Sequence, residues 1–220
     1  MATVGALPTW ALSNHDSPRV SSRIGEIQAR ALALFVLALP GSCYIYAGQE
    51  LGLPDGEIPD NSRQDPIYFR TEGKQKGRDG ARVPLPWNSE ESEFGFTKGH
   101  SWLPIPESWQ ELSIDKQEED KGSSLHLYRR ALRARRQLFK SDREIFWRED
   151  GADGLLLFER GDTLILLNTS QGEVSYEVSG NLLLTSHSGV ISDGKEITLP
   201  QSTACWVAGV TIRERSDSRV

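Results

Sequence analysis

Between Ile24 and Leu39 the chain turns apolar nearly all the way round a helix, with Ile24, Ile27, Leu32, Leu34, Phe35, Val36, Leu37 and Leu39. Such a helix is buried on more than one side, so it predicts packed layers on both faces. Ser21-Ser22 are expected to cap its start, and Pro40-Gly41 to end it. Short apolar runs flank it. Trp10-Ala11-Leu12 and Cys43-Tyr44-Ile45-Tyr46-Ala47 read as buried strands, the second rich in aromatic and β-branched residues. Strand, helix, strand with a polar loop after each strand is the βαβ unit of a parallel sheet.

The first loop carries amide, imidazole and carboxylate in Asn14, His15 and Asp16, and Pro18 stops further regular structure. Polar residues just past the C-terminal end of a strand are where an α/β barrel does its chemistry. Taken alone, the tripeptide reads equally well as a polar turn with an Asx-type hydrogen bond. A barrel needs eight strand–helix units, and nothing later in the chain supplies six more.

From Leu53 to Pro106 the chain is irregular and holds most of its prolines. Long stretches of this kind inside a domain are functional loops or linkers. Lys76 to Pro84 is the most charged part, and a solvated turn is the plain reading. Trp102 and Trp109 are expected to pack this region down, or to offer a stacking face for a sugar. Ser123 to Leu138 reads as a helix made basic by Arg129, Arg130, Arg133, Arg135 and Arg136, with a solvated face.

From Gly154 the pattern changes to period-two strands. Leu155–Arg160, a Gly161-Asp162 turn and Thr163–Asn168 form a hairpin signal. Further strands fit Val174–Val178, Leu182–Thr185, Glu196–Leu199 and Ala204–Val207, a spacing that argues for an antiparallel sandwich. A β domain starting near Asp153 is expected to fold better alone than the whole chain does. Residues 211–220 read as a frayed polar tail.

Composition narrows the function. A hydrophobic fraction of 37% marks a globular chain rather than a disordered one. A net charge of −6 argues against nucleic acid as the main partner and suits a neutral small ligand. Cys43 and Cys205 each lie in an apolar run and are expected to be buried free thiols. Four scattered histidines give no metal-ligand cluster, and the reading calls for no metal and no cofactor. With no signal peptide and no apolar stretch long enough to span a bilayer, the expectation is a cytoplasmic protein without a membrane partner.

Three segments together carry a family resemblance. Asn14-His15-Asp16-x-Pro18-Arg19-x-x-Ser22-Arg23-x-Gly25 resembles the fourth signature region of the α-amylase-type glycoside hydrolases, family 13, in the form used by α-glucosidases and oligo-1,6-glucosidases. Gly41-x-x-Tyr44-Ile45-Tyr46-x-Gly48-x-Glu50-Leu51-Gly52 is similar to the region around the eighth barrel strand, with Ala47 and Gln49 where Gln and Glu are usual. Arg78-Asp79-Gly80-Ala81-Arg82-Val83-Pro84-Leu85-Pro86-Trp87 resembles the Arg-Asp-Asn-Ala-Arg-Thr-Pro-Met-Gln-Trp loop of α-glucosidases, with Gly80 in place of Asn. Three matches in the family's order outweigh any one of them.

The resemblance implies α/β plus all-β architecture. Residues 1–140 would be the C-terminal part of a (β/α)8 barrel, about strands 7 and 8 with a long substrate loop. Residues 141–210 would be an antiparallel β domain. It implies retaining hydrolysis of terminal α-glucosidic bonds in an oligosaccharide, in which one carboxylate attacks the anomeric carbon and another protonates the leaving oxygen. Asp16 would be the third carboxylate, which stabilises the transition state by gripping the distorted ring. His15 and Arg78 would bind the same sugar, and Arg19 would shape or contact the aglycone side. Tyr46 and Glu50 would be supporting structure. The nucleophile and the acid/base match no residue here and belong to earlier barrel strands, so the chain reads as a fragment, inactive alone, whose partner is the missing N-terminal barrel portion. Glucosyltransferases and sucrose or trehalose isomerases share these motifs; the non-catalytic heavy subunits of amino-acid transporters also resemble the family, and the intact Asn14-His15-Asp16-x-Pro18-Arg19 and Arg78-Asp79 loops favour the hydrolase over them.

Overall fold

The computed structural model describes residues 7–140 and 144–210. The expected tail, 211–220, lies outside the described residues. The chain forms two compact units interleaved in sequence. One comprises residues 9–30 and 43–129, the other residues 7–8, 31–42 and those from 130 onward.

The first unit holds the strand β1 (Thr9–Ala11) and all but the first residue of β2 (Ser42–Tyr44), and the two strands pair as a two-stranded sheet. It also holds the short helices α1 (Val20–Ile24), α3 (Pro66–Arg70) and α4 (Ile114–Glu119). The single helix expected from Ile24 is in fact α1 and a separate α2 (Glu26–Ala38), divided at Gly25, whose φ of +89° no helix accepts. The start of α1 is also not capped by Ser21-Ser22, which lie within it. Its N-cap is Arg19, and the free N–H groups are taken by Asp55 and by Ser13 Oγ.

The long stretch Leu53 to Pro106 is irregular but not a solvated linker. Leu53, Ile58, Val83, Leu103 and Ile105 join Leu51, Trp109 and Leu125 in one buried cluster. Trp109 therefore packs the region down, whereas Trp102 stays half exposed. The two strands depart from expectation. β1 and β2 are not buried, and Tyr44 keeps 67% of its surface exposed. A two-stranded sheet has no second layer to cover it. Cys43 is accordingly only partly buried, against the expectation. Ile24 and Ile27 are exposed on the same unit.

The second unit is built on a five-stranded antiparallel sheet in the order β3-β4-β5-β10-β7, with β3 Phe146–Arg148, β4 Leu155–Arg160, β5 Thr163–Asn168, β7 Asn181–Thr185 and β10 Ala204–Ala208. The register pairs Arg160 with Thr163, so the hairpin turns on Gly161-Asp162 as its sequence demands. A three-stranded antiparallel sheet runs β6-β9-β8 (Val174–Glu177, Glu196–Leu199, Ile191–Ser192). Both sheets feed one apolar cluster, with Leu155, Leu157, Leu164, Leu166, Cys205 and Val207 from the first and Ile197 and Leu199 from the second. Cys205 is fully buried, and burial pushes its thiol pKa well up, so this half of the cysteine expectation holds.

The other face of the five-stranded sheet is also covered, which is why β5 is buried at every residue and shows no period of two. The later turns of α2 and of α5 (Ser124–Leu138) lie against it. Phe35 meets Phe158 edge to ring at 5.1 Å, and Phe139 lies 5.5 Å from Trp206. Trp206 Nε1 donates to the Leu34 carbonyl at 3.0 Å. Two arginines close the C-terminal end of α2, whose last carbonyls have no helical partner. Arg135 donates to Leu39 O at 2.7 Å, to Gly41 O at 2.6 Å and to Leu37 O, while Arg160 reaches Ala38 O at 2.6 Å. Arg135 thus departs from the solvated face that Arg130, Arg133 and Arg136 do present.

This packing bears on the expectation that a β domain cut at Asp153 folds better alone, and argues for the opposite outcome. The cut would strip the fully buried Phe158 and Trp206 of Phe35 and Phe139 and leave Arg160 without its carbonyl. No helix among the described residues is long and apolar enough to cross a membrane.

Candidate functional site

The polar loop after β1 is an Asx turn and something more. Asn14 Oδ1 accepts the Asp16 N–H at 2.8 Å and the Ser17 hydroxyl at 3.2 Å, which fixes the backbone from 14 to 17. The Asp16 side chain then projects, 55% exposed, into a group of cations. Its Oδ1 accepts from Arg78 Nη1 at 2.7 Å and from Arg82 Nη2 at 3.0 Å. Its Oδ2 lies 3.4 Å from His15 Nε2. Partial desolvation works to raise the Asp16 pKa. The Arg78 hydrogen bond, the charges of His15 and Arg78, and the Arg82 hydrogen bond outweigh it and hold the carboxyl below its usual value.

Arg78 is itself held from behind. Asp65, whose side chain is only 1% exposed, accepts from Arg78 Nε at 2.6 Å, from its backbone N–H at 2.9 Å and from Nη2 at 3.3 Å. Bonds from Arg78, and then from the Ile67 N–H, keep the Asp65 pKa far below the usual range despite burial. Asp65 and Asp16 in turn push the Arg78 pKa up. The local chemistry makes this possible. Asp65 caps α3 ahead of Pro66. Gly77, at φ +75°, passes so close that a Cβ would stand 2.7 Å from Asp65 Cβ, so only glycine brings Arg78 into reach. Asp79 is buried and accepts the N–H groups of Gln64 and Asp65 at 2.8 and 3.0 Å, binding the two stretches together.

The structure therefore brings Asp16, His15 and Arg78 into one cluster. It does not bring Arg19 there. Arg19 is 2% exposed, stacked between the rings of Tyr46 and Trp109 at 5.1 and 5.6 Å, and donates to Ala47 O at 2.6 Å. Burial lowers its pKa even though Tyr46, Asp55 and Glu50 work against the shift. Direct contact with a sugar is closed to a side chain so covered, and only the shaping half of its expected role is open. Tyr46 donates to Ala81 O at 3.0 Å and Glu50 accepts the Gly48 N–H at 2.9 Å, both as support.

Sequence reading misses Asp65 and the part played by Arg82. Asp-Pro signals a helix start, but nothing local shows that the same carboxylate takes an arginine 13 residues on. Gly80, where Asn is usual, has a reason in the fold: a Cβ there would sit 2.8 Å from the Gly56 carbonyl oxygen.

Residues 2–142 match the family model of the alpha-amylase catalytic domain. A probable alpha-glucosidase of Rhizobium meliloti is 38% identical over 133 residues, 58% of this chain and 24% of the relative. An oligo-1,6-glucosidase of Parageobacillus thermoglucosidasius is 31% identical over 150 residues, 57% of this chain and 26% of the relative. Among solved structures, the alpha-glucosyl transfer enzyme XgtA superposes with a TM-score of 0.74 at 29% identity, over 91% of this chain and 40% of that one. Trehalulose synthase MutB, at 22% identity, shares the fold with a TM-score of 0.77 over 92% of this chain and 43% of its own. The chain spans about a quarter of the length of the curated relatives it matches. The match covers well over half of the chain and contains the whole Asp16, Arg78 and Arg82 cluster, so this chain belongs to the alpha-amylase family.

Proposed function

We propose that the chain is the C-terminal part of a retaining α-glucosidase acting on terminal α-glucosidic bonds of malto- or isomalto-oligosaccharides. In this reading residues 1–140 end a (β/α)8 barrel, β1 and β2 being about its seventh and eighth strands, and residues 141–210 form the trailing β sandwich. The exposed Tyr44, Ile24 and Ile27 support it, because barrel strands and their helices need neighbours on both sides.

The observation that carries the reading is the Asp16 carboxylate, with Oδ1 pinned by two guanidinium groups and Oδ2 open beside His15. In a retaining mechanism the sugar ring flattens toward an oxocarbenium ion as the anomeric C–O bond breaks. A carboxylate fixed against ring hydroxyls binds that shape better than the ground state, and this difference is what accelerates the step. His15 and Arg78 add donors for the same sugar, and Arg19 shapes the loop. The attacking carboxylate and the proton-donating carboxyl come from a barrel segment outside this sequence.

The test is a chimera in which this chain replaces the matching segment of the Rhizobium meliloti relative, assayed with p-nitrophenyl α-glucoside. The 220-residue chain alone is expected to show no turnover, and the chimera to be active. Asp16→Asn is expected to cut kcat/KM by about 10³-fold. A mutant chimera as active as its parent refutes the reading. A second reading, glucosyl transfer instead of hydrolysis, is favoured by the likeness to XgtA, and analysis of the chimera's products on maltose separates the two.

A further inference from the structure

We infer that Arg82 is a positioning residue for Asp16, selecting which of its two carboxylate oxygens faces a sugar. The inference rests on the proposed sugar-holding role of Asp16 for its meaning, but not for its test. Arg82 is largely buried and makes two bonds to the same loop: Nε donates to the His15 carbonyl at 2.8 Å and Nη2 to Asp16 Oδ1 at 3.0 Å. One rigid guanidinium thereby fixes the backbone before Asp16 and the torsion of its carboxylate together, a geometry a lysine point charge cannot reproduce.

The neighbouring arginine cannot do this alone. Arg78 spends Nε and Nη2 on Asp65 and has only Nη1 for Asp16, also on Oδ1. Both arginines converge on one oxygen, so Oδ1 is saturated and Oδ2 is the one left for a ligand, with the His15 ring at its side. The charged and titratable groups facing Asp16 are thus His15 on its own loop and Arg78 and Arg82 on the facing turn, with Asp65 behind Arg78.

Carboxyl-detected NMR titration of the whole chain tests this, with Asp16→Asn and Asp65→Asn assigning the two signals. Arg82→Gln is expected to raise the Asp16 midpoint by about half a unit or more and to leave that of Asp65 unmoved. Arg82→Lys, which keeps the charge but loses the fork, is expected to recover only part of the shift. An Asp16 midpoint unchanged in both variants overturns the inference. So does an equal shift at Asp65, because Arg82 would then merely hold the unit together. Should Arg82→Gln fail to fold, Arg82→Lys alone decides: full wild-type behaviour of Asp16 refutes the role of the fork. The chimera assay of Asp16→Asn stands or falls separately from this titration.

Discussion

Replacing Trp206 asks whether the five-stranded sheet and the helices over it unfold as one body. Its indole is fully buried, rests 5.5 Å from Phe139, and donates Nε1–H to the Leu34 carbonyl in α2. Trp206→Ala removes a whole buried aromatic from a sheet covered on both faces, which costs about 3–5 kcal/mol. Trp206→Phe keeps most of the ring and loses the hydrogen bond and some volume, for about 2 kcal/mol. Amide hydrogen exchange across a urea series reads both, through the sheet amides of β4, β5 and β10 and the helix amides of residues 31–38 and 130–138. The two sets for this unit should open at lower urea together, with Phe between Ala and the parent. Helix amides that stay protected while the sheet amides open would show that the helices do not share the sheet's cooperativity, and the packing argument would fail. By the same argument a chain starting at residue 153 should melt below the full chain rather than above it.

Asp65→Asn removes a buried carboxylate that takes three bonds from Arg78, and should cost about 2 kcal/mol at pH 7 by denaturant unfolding. Its pKa is depressed on folding, so the stabilisation is present above the unfolded value of 3.8 and is lost as pH falls through the lower folded one. The gap between parent and variant should therefore close on acidification, and a gap that is constant with pH would refute the pairing. Gly80→Asn, which installs the residue usual in the family, should lower the melting temperature by several degrees, since its Cβ would meet the Gly56 carbonyl at 2.8 Å. An unchanged melting temperature would show that the two turns can part without cost.

Elements whose physics is local are legible in the sequence. The hairpin on Gly161-Asp162 needs only turn chemistry and flanking apolar residues, and α5 needs only its stripe. What could not be read depends on distant partners. β3 and β8 are three and two residues long and exist only through β4 and β9. Arg135 and Arg160 look like surface charges until α2 ends beside them with open carbonyls. β1 and β2 have the composition of buried strands and yet lie exposed, because composition states what a segment needs and not whether this chain supplies it.

The same distinction bears on Asp16. The Asx turn and the proposed sugar-holding role are not rival descriptions, because Asn14 sets the backbone and the arginines set the side chain. A solvated turn needs the first and has no use for the second. Ordering two long guanidinium side chains costs entropy, and ion pairs at an exposed carboxylate return little stability. Arg78 already has a full partner in Asp65, so its charge needs no second one. Convergence of Arg78 and Arg82 on a single oxygen of a half-exposed carboxylate is therefore poor value as stability. It fits the proposed pre-organisation, in which one oxygen is held so that the other is aimed before a ligand arrives.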